Sequence, residues 1–120
     1  KALNYRLQAT LDLDPVAKQL QEDDLRGVVT AVVESYDRGE FPDPGGPQFG
    51  RLYAQWVMAQ GQALGRNGPS LEAPIRLALT GSTSGPDVVL QLQVLDRAAA
   101  AGIACVPLAE RISVLRSRTA

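Results

Sequence analysis

Hydrophobic residues recur at intervals of three and four along most of the chain, a spacing typical of amphipathic helices. The acidic segment Glu22–Asp24 precedes the first clear stripe and suits the positive end of a helix. That stripe comprises Leu25, Val28, Val29, Val32, Val33 and Tyr36. A second helix is predicted from Gln48 to Leu64, with Trp56 as a core anchor. Its apolar side comprises Phe49, Leu52, Tyr53, Trp56, Ala63 and Leu64.

Shorter helices are predicted where start signals precede apolar residues. Asp14-Pro15 starts one, and Pro107 opens the last one. The stretch Leu71–Leu79 fits either a strand or a helix, and we favour the helix because no second strand is available to pair with it. Leu3–Leu7 alternates apolar and polar residues, which indicates a short extended arm. The expected fold is all-α, a compact bundle of five to six short helices.

A segment rich in proline and glycine interrupts this pattern. Phe41–Pro47 holds three prolines and two glycines in seven residues, a composition that excludes regular structure. It is either a connector or an exposed docking loop. We therefore expect an acidic helical N-terminal extension with its connector over 1–47, and a helical domain over 48–120.

Charge is distributed unevenly between the two parts. The net charge is −1, but residues 1–43 carry nine acidic and five basic residues, whereas 44–120 carry four acidic residues and seven arginines. Such asymmetry suggests a face that meets a phosphate backbone or an acidic partner, although a chance surface imbalance explains it equally well.

The composition narrows the chemistry. There is no histidine and only one cysteine, Cys105, which excludes Cys/His catalysis, a Cys/His metal cluster and an internal disulfide. Cys105 has apolar neighbours and is expected to be a buried, inert thiol. The acidic pairs Asp12/Asp14 and Asp23/Asp24 have no acid–base partner nearby in sequence. No enzyme activity, cofactor, metal or small-molecule substrate is therefore expected.

Two further expectations concern the cellular location of the protein and its relation to a longer chain. No apolar run reaches the roughly 18–20 residues that a membrane helix needs, so we expect a cytoplasmic protein, or one on the cytoplasmic face of a membrane complex. The sequence begins with Lys1 instead of Met, which suggests a processed or truncated piece of a longer protein.

The polar turn Thr80–Pro86 is the strongest candidate binding element. Three consecutive hydroxyl residues lead into Gly85-Pro86, with Ser84 or Gly85 expected to cap a new helix and Pro86 to occupy its first position. A hydroxyl-rich turn before a helix N-terminus can bind anions through free backbone N–H groups. It lacks the Gly-Lys-Ser/Thr ending of a phosphate-binding nucleotide loop.

This turn and its flanks carry a family resemblance. Pro74–Gly81, followed by Gly85–Val89 and Val94-Leu95, resembles the C-terminal anticodon-binding domain of bacterial glutamyl-tRNA synthetases, and most closely the cyanobacterial form. Arg111-Ile112 matches the arginine and aliphatic residue of that family's last helix. The resemblance covers roughly residues 71–115.

The resemblance implies an all-helical fold and a set of RNA contacts. Gly85, Pro86 and Val88 become candidate base contacts, while Arg76 and Arg111 become candidate phosphate or structural arginines. At about 100° per residue, Arg118 lies on the same helix face as Arg111, and Arg116 points away.

Three departures from the family pattern are visible. The segment Asp96–Val106 is longer and richer in alanine than the family's link between its last two helices. Residues 1–47 match nothing in the family. The HIGH and KMSKS signatures of the ATP site are absent, so the chain alone is not expected to aminoacylate tRNA.

Two functional hypotheses follow. In the first, the chain is a non-catalytic tRNA-binding module, with Arg76, Arg111 and Arg118 on the RNA backbone and Gly85-Pro86 on splayed bases. In the second, it is a synthetase-derived structural subunit that binds protein within a larger assembly, for which the cyanobacterial likeness suggests a photosynthetic complex.

Overall fold

The computed structural model describes residues 5–22, 25–83 and 87–119, and the regular secondary structure in these ranges is helical. No strand occurs within these ranges, and the predicted all-α class is confirmed. The helices are α1 (Leu7–Leu13), α2 (Pro15–Glu22), α3 (Leu25–Asp37), α4 (Phe49–Leu64), α5 (Pro69–Thr80), α6 (Val88–Ala100) and α7 (Leu108–Thr119). The acidic pair Asp23/Asp24 lies outside the described residues.

Helix α1 begins at Leu7, the last residue of the stretch where alternation predicted an extended arm. Leu3 lies outside the described residues, whereas Leu7 begins a helix that ends at Leu13. Leu7 and Leu11 are four residues apart and both are buried against the core. Tyr5 and Arg6 are not helical, so the extended arm stays a prediction, whereas the one-turn spacing of Leu7 and Leu11 suits the helix α1.

The centre of the molecule is formed by α3, which packs most extensively against α7 and α5. The predicted apolar face of α3 is buried, with Val28 and Val32 each 1% exposed. Ile112 and Leu115 of α7 complete the contact, as predicted. One hydrophobic cluster therefore includes residues from both sides of the Phe41–Pro47 segment. The division of the sequence at residue 47 stays a prediction.

Helix α4 carries an aromatic group that anchors the Pro/Gly-rich segment. Phe41 contacts Trp56 edge-on with ring centroids 4.8 Å apart, and Trp56 is buried as predicted. The buried stripe of α4 is narrower than expected, because Leu52 and Ala63 are exposed. Gln60 is buried instead, and its Nε2 donates to Ser35 Oγ of α3 at 2.9 Å.

Helix α5 begins at Pro69 and tolerates a second proline, Pro74, in its interior. A proline has no N–H, so it leaves the carbonyl four residues earlier without its helical donor. Here Arg66 Nη1 donates to that carbonyl, Ser70 O, at 3.1 Å. The helix ends at the left-handed Gly81, with φ of 72°. Helix is thus confirmed over strand for this stretch.

Helix α6 begins later than the sequence signals indicated. Asp87 is its N-cap, and Val89 N donates to Asp87 Oδ1 at 3.1 Å. The predicted cap at Ser84 or Gly85, with Pro86 at the first position, lies outside the described residues. A carboxylate at the N-cap stabilises the helix both as an acceptor and through the macrodipole.

The end of the chain follows the prediction closely. Helix α7 begins one residue after Pro107, whose carbonyl accepts Arg111 N at 3.0 Å. Cys105 is half-buried instead of fully buried, in the loop before α7. Among the helices of the described ranges, none is long and apolar enough to cross a membrane. Nor do three or more acidic or cysteine side chains cluster there as metal ligands.

Candidate nucleic-acid interface

Arg111 lies inside the molecule, where it is only 1% exposed. Its Nε donates to Val106 O at 2.7 Å, and its Nη1 donates to Leu79 O at 2.9 Å. The guanidinium carbon is 4.9 Å from the centre of the Tyr5 ring. Burial lowers the pKa of Arg111, opposed by the charge interaction with Tyr5. Of the two roles implied by the resemblance, this geometry supports the structural one.

Arg118 is exposed in the last turn of α7, where its charge complements the helix macrodipole. Its Nη2 donates to Gln8 Oε1 of α1. Arg116, two residues earlier, donates instead to Asp37 of α3. The two exposed arginines therefore contact different helices.

Arg76 is half-buried on α5, and its charge acts on Tyr53 of α4. Burial raises the pKa of Tyr53, an effect that Asp87 and Glu72 reinforce and Arg76 opposes. Arg118 instead acts electrostatically on Tyr5, alongside Arg111. Because Arg111 is buried, Arg76, Arg111 and Arg118 do not form one exposed basic patch.

The described residues flank the polar turn Thr80–Pro86 but do not include residues 84–86. Ser82 and Thr83 are half-buried, and Val88 is 7% exposed as the first residue of α6. Gly85 and Pro86, the other two candidate base contacts, lie outside the described residues. Val88 packs into the core, so its side chain supports the turn from within.

The segment Tyr5–Asp14 covers the end of α5 through three side-chain hydrogen bonds. Tyr5 Oη donates to Ala78 O at 2.5 Å, and Thr10 Oγ1 donates to Gly81 O at 2.6 Å. Thr83 Oγ1 donates to Asp14 Oδ2 at 2.6 Å. The last carbonyls of a helix have no intrahelical donor. The N-terminal segment therefore satisfies two backbone carbonyls at the end of α5 and holds the first half of the polar turn.

Gly81 allows this close approach. A Cβ at this position would lie 3.0 Å from Arg6 N and 3.1 Å from Tyr5 Cδ1. Sequence reasoning identified Gly81 as a helix stop but missed Tyr5, Thr10 and Asp14. Their partners lie 69 to 73 residues away, so local spacing gives no signal for these contacts.

Comparison with known proteins finds similarity to segments of glutamate–tRNA ligases. The chain is 41% identical over 59 residues to glutamate–tRNA ligase 2 of Xanthobacter autotrophicus, covering 49% of this chain and 13% of that protein. It is 33% identical over 86 residues to ligase 2 of Ehrlichia canis, covering 72% and 17%. It is 30% identical over 101 residues to ligase 1 of Rhodospirillum rubrum, covering 80% and 22%.

The chain thus spans less than a quarter of the length of these relatives. No family model and no solved structure matches it. A match covering 80% of 120 residues includes residues 25–96 wherever it begins. The similarity therefore extends into α3, and the expectation that residues 1–47 match nothing in the family does not hold for residues 25–47.

Proposed function

We propose that this chain is a non-catalytic module, related to glutamyl-tRNA synthetase, that binds the anticodon part of a tRNA. The observation that carries the proposal is the similarity to glutamate–tRNA ligases, which reaches 80% of the chain. The motif around the Gly85-Pro86 turn supports the same assignment. The cyanobacterial likeness of that motif stays a prediction, as does the cytoplasmic location.

The proposed contacts are divided between surface and interior residues. Arg76 and Arg118 contact phosphates, because both lie at least partly at the surface. Gly85 and Pro86 contact splayed anticodon bases, since single-stranded loops are read by stacking and edge contacts. Arg111 and Val88 act from inside by fixing α5, α6 and the loop before α7.

The direct test is fluorescence anisotropy of a labelled glutamate tRNA titrated with the chain at several salt concentrations. We expect Arg118→Gln to weaken binding about three- to tenfold, and to flatten the slope of log K against log salt by about 0.7–0.9, because one phosphate contact is lost. Arg97→Gln is the matched control, since it removes one exposed positive charge from α6 outside the proposed contacts.

Equal effects of the two substitutions would contradict the assignment of Arg118. No binding beyond that of an unrelated RNA would contradict the proposed function as a whole. A protein partner that co-purifies in stoichiometric amount, together with absent RNA binding, would favour the synthetase-derived interaction subunit instead.

A further inference from the structure

A cavity of about 210 Å³ lies among α1, α2, α3, α5 and α7. Its walls are apolar, and Leu7, Leu25, Val29, Ala78 and Leu115 are among the buried side chains that form them. An apolar cavity of roughly 150 Å³ is large enough to hold a benzene ring. This cavity therefore has room for a single six-membered ring with its substituents.

Three polar side chains complete the lining. Arg26 of α3, Arg118 of α7 and Gln21 of α2 all border the cavity and are exposed to solvent. Gln21 Nε2 donates to Leu11 O at 3.3 Å, which places its amide beside the α1 wall. The two ionisable side chains among the described lining residues are both arginines. An apolar cavity with arginines at its edge suits a flat apolar ring that carries an anionic group.

We infer that this cavity binds one unstacked pyrimidine nucleotide of an RNA, with the base between α1, α3 and α7 and its phosphate at Arg26 and Arg118. The inference rests on the proposed function and adds a second contact point, separate from the Gly85-Pro86 turn. We choose a pyrimidine because its single six-membered ring is the smaller of the two base types and fits within about 210 Å³. The amide of Gln21 offers hydrogen bonds to the polar edge of the base.

The location of the cavity gives the N-terminal third a part in RNA binding. Leu7, Gln21 and Arg26 come from α1, α2 and α3, while Arg118 comes from the last turn of α7. Arg118 is a candidate phosphate contact from the sequence alone, and the structure places it at the edge of the cavity. Neither α3 nor α7 forms this site without the other.

The first experiment titrates isotopically labelled chain with uridine 5′-monophosphate and follows backbone amide signals by NMR. We expect the signals of Leu25, Val29 and Leu115 to shift together and to saturate. Uridine and ribose 5-phosphate, titrated separately, distinguish base from phosphate binding, and each should bind at least about threefold more weakly than the nucleotide. Equal shifts from ribose 5-phosphate alone would overturn the inference.

The second experiment uses substitutions that remove the charge of Arg26 or fill the cavity. Arg26→Gln should weaken uridine monophosphate binding at least about threefold, whereas Arg97→Gln should leave it unchanged. Val29→Phe should fill the cavity and abolish the saturating shifts. Because a larger side chain in a core can disturb folding, Arg26→Gln, an exposed substitution, tests the inference independently. An unchanged affinity in Arg26→Gln would contradict the phosphate site.

The outcomes separate this inference from the proposed function. If glutamate tRNA binds the native chain and Arg26→Gln equally well, the cavity inference fails while tRNA binding stands. If the nucleotide enters the cavity but no tRNA binds, the proposed function fails and the cavity is a site for free nucleotides. If neither binds, both are overturned.

Discussion

At the residue scale, the buried guanidinium of Arg111 connects three parts of the chain that are far apart in sequence. It donates to Leu79 O at the end of α5 and to Val106 O before α7, and it lies against the Tyr5 ring. Carbonyls that lose a buried donor incur their full desolvation cost. Arg111 is therefore a stability determinant, and the sequence motif that contains it marks a packing requirement.

We expect Arg111→Met to lower the free energy of unfolding by about 2–4 kcal/mol, because two carbonyls lose a charged donor while the apolar volume is roughly kept. Arg116→Met is the control. Its exposed ion pair with Asp37 should be worth less than about 1 kcal/mol. Urea unfolding followed by circular dichroism measures both. Similar losses from the two variants would contradict the buried role of Arg111.

Two tyrosines, the half-buried Tyr5 and the buried Tyr53, make stability sensitive to alkaline pH. Burial raises the pKa of both Tyr5 and Tyr53 above the ordinary value of 10.0. Above pH 10 the unfolded chain loses these phenol protons while the folded chain keeps them, so stability falls as pH rises. Below that pH both states hold the protons, and the full contribution is present.

The expected fall is at most about 1.4 kcal/mol per pH unit for each tyrosine. Urea unfolding at intervals between about pH 9 and pH 11 measures it. Tyr5→Phe should reduce the slope to that of Tyr53 and the remaining groups. A slope that is the same in Tyr5→Phe and the native chain would show that Tyr5 is not buried as described.

At the element scale, α1 and the end of α5 depend on each other. Thr10 and Tyr5 donate to carbonyls of α5 and Gly81, and the α1 backbone lies against the Cα of Gly81. The apolar stripes of α3 and α4, by contrast, need no distant partner to be recognised. This is why their bounds follow from spacing, whereas α1 does not emerge from the sequence and the N-cap of α6 is misplaced.

Gly81 and Gly65 form a matched pair for testing the α1 contact. Both end a helix in the left-handed conformation, with φ of 72° and 68°. A Cβ at Gly65 would meet nothing within 4 Å, whereas one at Gly81 would meet Arg6 and Tyr5. Either substitution by alanine should cost about 1–2 kcal/mol from backbone strain.

Gly81→Ala should cost about 1–3 kcal/mol more than Gly65→Ala, because the methyl group also displaces α1. Thermal and urea unfolding of the two variants, side by side, measure the difference. Equal losses would mean that α1 does not lie against the end of α5.

At the scale of the whole molecule, the helical class and most helix positions follow from the sequence, and the candidate site follows only in part. The arginines share a charge and a motif, but their exposure depends on packing that spacing does not encode. Arg111 is enclosed, Arg118 borders a cavity, and Arg76 is half-buried on α5. Arg26 lies in the net acidic part of the sequence, residues 1–43, so the charge distribution does not identify it as a candidate binding residue.

Binding of the anticodon part of a tRNA is the function proposed for this chain. The most direct measurement is competition between labelled glutamate tRNA and the same transcript with its three anticodon bases replaced. We expect the altered transcript to compete at least about tenfold more weakly, because splayed bases are also recognised by hydrogen bonds to their edges, and losing about 1.4 kcal/mol of such contacts weakens binding tenfold. Equal competition by the two transcripts would contradict it.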